Sequence, residues 1–175
     1  MLYFINIFTV KLVKRHFYLK NYKMKFDFID KKIINILQTD SKIATKQIAN
    51  ELHLSVTAIY ERIKKLEKNG VIKNYIALMD KEKINRNFMV FCQIKLKQHH
   101  NVYIAKFEEE VLQFDEVIEC FNVSGDYDYS LKIAVENMKA YREFLNEKLT
   151  TLDYIGSTYS TFIISEVKNN TTILL

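Results

Sequence analysis

Residues 45–73 read TKQIANELHLSVTAIYERIKKLEKNGVIK, and this stretch decides the fold of the first half of the chain. Apolar side chains recur in it at the helical period in two short runs, Ile48, Ala49 and Leu52 and then Ile59, Ile63 and Leu66. Residues 53–55 separate the two runs, and Ser55 is a favourable N-cap for the second helix. Asn69 and Gly70 then end that helix. The stretch therefore predicts two helices joined by a tight turn.

The second of these helices carries polar and cationic side chains away from its apolar stripe. These side chains are Thr57, Ala58, Tyr60, Glu61, Arg62, Lys64, Lys65 and Lys68. A short turn followed by a basic helix is typical of a unit that enters the DNA major groove, where such residues reach bases and phosphates. The alternative is a solvated helix pair whose lysines serve only solubility. The small Ala49 at the helix crossing and the grouping of cations on the second helix favour DNA binding.

Charge is distributed unevenly along the 175 residues, whose formal net charge is +5. Residues 24–80 carry a net charge of +3, whereas residues 81–175 carry −3. A basic first module followed by an acidic second one favours a separation of DNA contact from assembly or sensing. The apolar content of 49% can form one moderate core or two small ones, and we expect two compact domains.

Residues 1–23 contain five basic residues, no acidic residue and an apolar run at positions 2–10. The run is too short to span a bilayer, and its charges follow it instead of preceding it as in a signal peptide. A weak membrane-surface segment is the alternative. We expect residues 1–23 to be a disordered or mis-assigned leader, with translation starting at Met24.

Local patterns place the other elements of the first domain. Apolar residues at helical spacing predict a helix over 27–37, with Asp27 near its start, beneath the helix pair. Residues 71–78 predict a short strand or wing. The resulting division is a DNA-binding domain at 24–80, a linker at 81–87, a second domain at 88–168, and a C-terminal tail at 169–175.

The second half of the chain alternates between strand and helix patterns. Its predicted elements are strand 88–96, helix 102–114, strand 117–123, strand 127–135, helix 138–149 and strand 158–167. This β-α-β-β-α-β order predicts an α+β fold, a ferredoxin-like sandwich in which four antiparallel strands carry both helices on one face. Because the first strand has apolar residues on more than one face, we expect a homodimer formed through the sheet.

Residues 123–129, VSGDYDY, join the two middle strands. Gly125 can supply the positive φ of a tight turn, and Asp126 and Asp128 flank Tyr127. Carboxylates beside backbone amides are suited to hold the ammonium and the carboxylate of a free amino acid. The residues alone leave open the alternative of an ordinary hairpin, in which the aspartates only stabilise the turn.

Residues 26–168 resemble the Lrp/AsnC family, the leucine-responsive or feast/famine transcription regulators. ERIKKLEKNGVIKNYIALMD at 61–80 is similar to the recognition helix and exit strand of that family, and VSGDYDYSLKIAVENMKAYREFL at 123–145 is similar to its ligand-sensing domain. The resemblance implies a winged helix-turn-helix joined to a domain that dimerises through its sheet. It also implies that dimers assemble into tetramers or octamers and bind a small amino acid between dimers.

Carried over position by position, the resemblance adds Ser55 to the DNA contacts and makes Lys64 and Lys68 phosphate contacts. The effector pocket that it implies consists of Ser124, Gly125, Asp126, Tyr127, Asp128, Met138, Thr161, Phe162 and Ile163. Considered alone, Met138 fits core packing better than ligand contact. For DNA reading we expect Arg62 and its basic neighbours to hold phosphates, with a dimer reading pseudo-palindromic half-sites about one helical turn apart. The residues that we expect to face base edges are Thr57, Ala58, Tyr60 and Glu61.

Two positions depart from the family pattern. His53 stands where glycine is usual in the turn, and Val56 stands where proline often follows the N-cap. Histidine tolerates positive φ better than most residues, and proline at the first helical position is favoured but not required. We therefore expect the turn and DNA binding to be preserved.

The sequence thus predicts a cytoplasmic, nucleoid-associated transcription regulator that binds specific double-stranded DNA and responds to a small amino acid. The alternative function is a ligand-independent architectural protein that coats DNA. A third possible function is that of an enzyme, which would need a cluster of reactive side chains. The candidates are the loop residues His99 and His100 and the isolated Cys92 and Cys120. The cysteines lack CxxC spacing and fit buried packing in a reducing compartment. We expect no enzymatic activity, no metal or other cofactor, and no membrane partner.

Overall fold

The computed structural model describes residues 25–98 and 100–175, which form two compact units. One unit extends to Tyr75 and includes Asn170–Leu175, and the other is Ile76–Asn169. The expected leader at 1–23 and His99 lie outside the described residues. Among the residues described, no helix combines the length and apolar character needed to cross a membrane.

Within the described residues, the first unit contains three helices, α1 (Phe28–Thr39), α2 (Thr45–Glu51) and α3 (Val56–Lys68). The helix-turn-helix prediction is confirmed, with α2 and α3 as its helices and α1 as the helix expected beneath them. The buried apolar residues of this unit are Ile33, Ile34, Ile48, Ala49, Ile59 and Leu66. Because they come from all three helices, one core fixes how the helices pack against each other.

The predicted helix caps are confirmed. Asp27 accepts a hydrogen bond from a backbone amide in the first turn of α1 at 2.8 Å, and Ser55 Oγ does the same for α3 at 3.2 Å. Gly70 ends α3 with φ of +69°. His53 has φ of +53°, so histidine adopts the left-handed conformation that the turn requires.

The strand predicted at 71–78 is not formed. Val71 and Ile72 are half-buried against the helical core, and residues 73–78 are exposed with no strand assignment. The apolar Ile76 and Leu78 suggested a strand, but a strand also needs a neighbour to pair its backbone N–H and C=O groups. The segment pairs with no strand among the described residues.

The second unit contains its helices and strands in the predicted order. They are β1 (Phe88–Leu96), α4 (Asn101–Val111), β2 (Val117–Asn122), β3 (Tyr129–Val135), α5 (Met138–Glu147), a 3₁₀ turn (Leu149–Thr151) and β4 (Ile155–Phe162). The sheet has the order β2-β3-β1-β4, with every neighbouring pair antiparallel. The α+β, ferredoxin-like prediction is confirmed.

The last strand lies earlier in the chain than predicted. It starts at Ile155, opposite Leu96, and ends at Phe162, opposite Val90. The apolar Ile164 and Val167 beyond it are 100% and 96% exposed. The apolar run therefore continues past the last residue that is paired with β1, and hydrophobicity alone misplaced the strand.

The two faces of the sheet differ in burial. The face that carries the helices holds the core, whose largest fully buried side chains are Tyr129, Tyr141, Phe107, Ile94, Leu131, Ile133, Leu149 and Val90. On the opposite face, Phe91, Phe121 and Tyr159 are 37%, 53% and 58% exposed. These three aromatic side chains give the sheet an open apolar face of the kind that the dimer prediction requires.

Residues 170–175 hydrogen-bond to α1 of the first unit. The side chain of Gln38 hydrogen-bonds to both backbone groups of Ile173. Its Nε2 donates to the Ile173 carbonyl at 2.9 Å, and its Oε1 accepts from the Ile173 amide at 2.8 Å. Asn35 Oδ1 accepts from the Leu175 amide at 3.4 Å. Gln38 and Ile173 are separated by 135 positions, and no local pattern in the sequence indicates this contact.

Gly156 in β4 generates a stability prediction. A Cβ atom there would lie 3.2 Å from the Lys95 carbonyl oxygen and 3.3 Å from the Lys97 nitrogen, both backbone atoms beside an irregularity in the β1–β4 register. We expect Gly156→Ala to lower the free energy of unfolding by about 1–3 kcal/mol through overpacking. Urea denaturation measures the change. The neighbouring exposed Ser157→Ala is the control, and equal midpoints for the two variants would contradict the prediction.

Candidate nucleic-acid interface and effector loop

The exposed side of α3 is the candidate nucleic-acid interface. Helix α3 buries Ile59 and Leu66 on its core side, which turns polar and cationic residues outward. The exposed residues among the predicted DNA contacts are Ser55, Thr57, Tyr60, Glu61, Lys64, Lys65 and Lys68. Ala58 and Arg62 are half-buried. The fold therefore presents most of the predicted DNA contacts to solvent.

A small network holds Lys64 on this surface. Lys64 Nζ donates to Glu67 Oε2 at 2.8 Å and lies 5.7 Å from the centre of the Tyr60 ring. The Tyr75 hydroxyl donates to the other oxygen of Glu67 at 3.0 Å. The hydrogen bond with Glu67 raises the pKa of Lys64, and the bonds from Lys64 and then Tyr75 lower the pKa of Glu67. Sequence reasoning missed Glu67 and Tyr75, although the i, i+3 spacing of Lys64 and Glu67 was a usable signal.

Arg62 has partners on α1 instead of facing outward with the lysines. Its Nη1 donates to Asp27 Oδ2 at 2.7 Å and to Asp30 Oδ1 at 2.6 Å. These bonds raise the pKa of Arg62, while the pKa of Asp27 is lowered first by the Asp30 amide and then by Arg62. Arg62 thus binds two carboxylates through one nitrogen of its guanidinium, and the expectation that it holds a phosphate stays a prediction. Sequence reasoning could not find this contact, since Asp27 lies 35 positions away.

Asp128 fastens the loop between β2 and β3 to the sheet. Its Oδ2 accepts the amide of Leu96 at 2.7 Å, and its own amide donates to the Ile94 carbonyl at 2.8 Å. Its carbonyl accepts the Val123 amide at 2.9 Å, which closes the base of the loop. Gly125 has φ of +138°, as predicted for the turn. These bonds make Asp128 an anchor of the loop, and the ligand contact that the resemblance implies for it stays a prediction.

The tip of the same loop is open to solvent. Ser124, Gly125 and Asp126 are exposed, whereas Tyr127 is half-buried and stacks on Tyr159 with ring centres 6.2 Å apart. The tip therefore presents the carboxylate of Asp126 and exposed backbone beside an aromatic wall. These groups suit a ligand that carries both a positive and a negative charge.

The other predicted pocket residues lie at the opposite end of the sheet. Met138 begins α5 directly after β3, and the remaining residues are Thr161, Phe162 and Ile163 at the end of β4. Both positions lie beside the first residues of β1. The loop, in contrast, is hydrogen-bonded to Ile94 and Leu96, near the last residue of β1. At about 3.3 Å per residue, the two ends are about 10–20 Å apart along β1. One chain does not bring the two groups of predicted pocket residues together. Met138 was expected to pack in the core, but its side chain is 43% exposed.

The reactive side chains considered for catalysis that the structure describes are Cys92, Cys120 and His100. Cys92 is buried and Cys120 is half-buried, both are free thiols, and burial raises the pKa of each. A raised pKa disfavours the thiolate that a nucleophile needs. His100 lies beside Tyr103, with ring centres 6.4 Å apart. Among residues 25–98 and 100–175, no group of three or more His, Cys, Asp or Glu residues could hold a metal ion.

A helix-turn-helix with an exposed basic second helix, joined to a βαββαβ domain, defines a class of protein, the DNA-binding transcription regulators with a ligand-binding domain. Two family models match the chain in the same order. Residues 27–73 match winged helix-turn-helix DNA-binding, and residues 89–173 match the Lrp/AsnC ligand binding domain.

The chain belongs to the Lrp/AsnC family of transcription regulators. It is 34% identical over 149 residues to the leucine-responsive regulatory protein of Klebsiella pneumoniae, which covers 85% of this chain and 91% of that relative. It is 32% identical over 143 residues to the Bkd operon transcriptional regulator of Pseudomonas aeruginosa, covering 82% and 94% of the two chains. The family resemblance seen in the sequence is confirmed.

Solved structures agree with this family. An AsnC family transcriptional regulator from Agrobacterium tumefaciens is 35% identical with a TM-score of 0.81, covering 85% of this chain and 96% of that one. A transcriptional regulator from Neisseria meningitidis, crystallised as a complex with L-methionine, is 26% identical with a TM-score of 0.82 and the same coverage.

The two loop aspartates generate a matched pair of predictions. We expect Asp128→Ala to lower the free energy of unfolding by about 1–3 kcal/mol, because it leaves the Leu96 amide without its acceptor. The same change at the exposed Asp126 should alter that free energy by less than about 0.5 kcal/mol. Urea denaturation of both variants measures the difference. A destabilisation by Asp126→Ala as large as that by Asp128→Ala would show that the loop is not anchored as described.

Proposed function

We propose that this protein reads specific DNA sequences with α3, and that a small amino acid bound at residues 124–127 changes its assembly and its affinity for DNA. The observation that carries the proposal is the division of α3 between a buried apolar side and an exposed side with Thr57, Tyr60 and three lysines. That exposed side has the chemistry needed for bases and phosphates together.

In the proposed complex, the first turns of α3 enter the major groove. Ser55, Thr57, Ala58, Tyr60 and Glu61 face base edges, and Lys64, Lys65 and Lys68 contact phosphates. Glu67 and Tyr75 limit the directions in which Lys64 can point, because Glu67 bonds to both. A homodimer places two copies of α3 at half-sites about one helical turn apart.

The proposed effector site is the loop tip. The Asp126 carboxylate binds the ammonium group of the amino acid, and backbone amides around Gly125 bind its carboxylate. Support comes from the Neisseria relative, which was crystallised with L-methionine. Because Met138 and residues 161–163 lie at the other end of the sheet, they complete the site only from a second copy of the chain.

A site shared between copies explains how the effector acts. An amino acid that binds only where two copies meet favours the assembly that contains the site, and by linkage it changes the affinity of that assembly for DNA. The open apolar face with Phe91, Phe121 and Tyr159 provides the surface for dimer formation, and the loop tip provides the contact between dimers.

Binding measurements test this proposal. Duplexes enriched from a random-sequence pool by the protein serve as the specific probe, random duplex serves as competitor, and each free amino acid is added in turn. Specific binding that one or a few amino acids shift is the expected result. Specific binding that no amino acid changes would refute the sensing role and favour the architectural alternative, and equal affinity for both duplexes would refute sequence-specific reading.

Replacing Lys65 tests the phosphate contacts. We expect Lys65→Ala to weaken specific and random duplexes alike and to reduce the slope of log affinity against log salt concentration by about one, because one fewer counterion is released. Lys139→Ala removes the same charge from α5 and is the matched control. An unchanged slope in the Lys65 variant would remove that lysine from the interface.

Replacing Asp126 tests the effector site. Asp126→Asn keeps the size of the side chain and removes the charge that binds the ammonium group, so we expect amino-acid affinity to fall by about tenfold or more. DNA affinity without effector should stay the same. Isothermal calorimetry and DNA titration measure the two properties on one preparation. An undiminished calorimetric affinity would place the effector elsewhere.

A further inference from the structure

The first turn of α1 and the middle of α3 share one closed set of hydrogen bonds. Asp27 Oδ1 accepts the Asp30 amide at 2.8 Å, and Asp30 Oδ2 accepts the Asp27 amide at 3.3 Å, so these two oxygens cap α1. The other two oxygens, Asp27 Oδ2 and Asp30 Oδ1, both accept from Arg62 Nη1. Each carboxylate thus uses one oxygen for its own helix and one for α3.

Asp30 is the buried member of this set. Its side chain is 9% exposed, while those of Asp27 and Arg62 are 53% and 33% exposed. Among the described residues, Asp30 is the charged residue that is buried in the core. A buried carboxylate is tolerated when a cation and hydrogen bonds compensate its charge, and it is strongly unfavourable when its partner is removed.

These contacts make a shift of Arg62 to DNA unfavourable. If the guanidinium turned to a phosphate, it would leave Asp30 buried without its cation and would open the cap of α1. A lysine on the exposed side of α3 meets a phosphate without such a loss. The electrostatic arrangement therefore keeps Arg62 on the protein side of the helix.

We infer that Arg62 is a positioning residue, which sets the rotation of α3 against α1 and thereby aims the base-facing residues, and that it makes no contact with DNA itself. The inference rests on the proposed DNA-reading role of α3. Arg62 lies one turn after Ala58, so its bond to a second helix fixes the part of α3 that has to face the groove. Sequence reading depends on such placement, since small displacements of side chains lose their hydrogen bonds to bases.

The salt dependence of binding distinguishes positioning from phosphate contact. We expect Arg62→Ala to reduce affinity for the enriched duplex by about tenfold or more while the slope of log affinity against log salt stays that of the natural protein. Affinity for random duplex should fall much less. Lys65→Ala is the reference for a lost phosphate contact, with its slope reduced by about one. A slope reduced by about one in Arg62→Ala would overturn the inference.

Asp30→Asn provides a second variant in which Arg62 keeps its charge. The positioning role predicts weaker binding to the enriched duplex, because the buried ion pair is lost, with an unchanged slope. A phosphate contact by Arg62 predicts equal or stronger binding, since a negative charge near the interface is removed. Equal or stronger binding would therefore overturn the inference.

Thermal melting followed by circular dichroism shows whether Arg62→Ala folds. If it does not fold, a double variant that replaces both partners of the ion pair keeps the test decisive. Replacing Asp30 by Leu and Arg62 by Met together removes the ion pair without leaving a buried charge, and such replacements are often neutral or stabilising. We expect this double variant to regain at least part of the specific affinity lost in Arg62→Ala. A folded double variant that binds no better, with a slope reduced by about one, would overturn the inference. If the natural protein shows no preference for the enriched duplex, the proposed DNA reading itself fails instead.

Discussion

Burial of one side of α3 against α1 and α2 is the interaction on which the DNA-reading unit depends. Ile59 and Leu66 are 0% and 1% exposed, and burial of side chains of this kind stabilises a fold by about 1.5–3 kcal/mol each. The same burial decides which residues of α3 face outward, because successive helical positions are separated by about 100°. Packing energy and presentation of the proposed DNA contacts are therefore two results of one constraint.

The second unit depends on its central strand in a similar way. Strand β1 pairs with β3 on one side and β4 on the other, and it buries Val90, Cys92 and Ile94 under the helices. Its last residues also hold the loop, because Leu96 donates to Asp128. The loop tip is thus supported by a strand that is paired on both sides, while Asp126 stays exposed. A loop that is hydrogen-bonded to the sheet and carries the exposed Asp126 carboxylate at its tip suits recognition of a small charged ligand.

Local signals accounted for much of this structure. The helical period of α3 and the caps at Asp27 and Ser55 act between neighbours in the chain, and the elements formed where those signals placed them. The misplaced elements were those that depend on distant partners. Residues 71–78 had strand character without a strand to pair with, and β4 ended where its pairing with β1 ended.

The sequence by itself determined the order of elements, the basic character of α3 and the charged loop at 123–129, because periodicity, capping and turn chemistry are short-range properties. The tertiary structure alone decided the hydrogen-bond partners of Arg62 and Asp128, which carry the same charges as their neighbours Lys65 and Asp126. Arg62 turns to Asp30 on another helix and Asp128 to the amide of Leu96 on another strand. Hydrogen bonds and burial between segments far apart in the chain make that distinction, and residue type does not encode it.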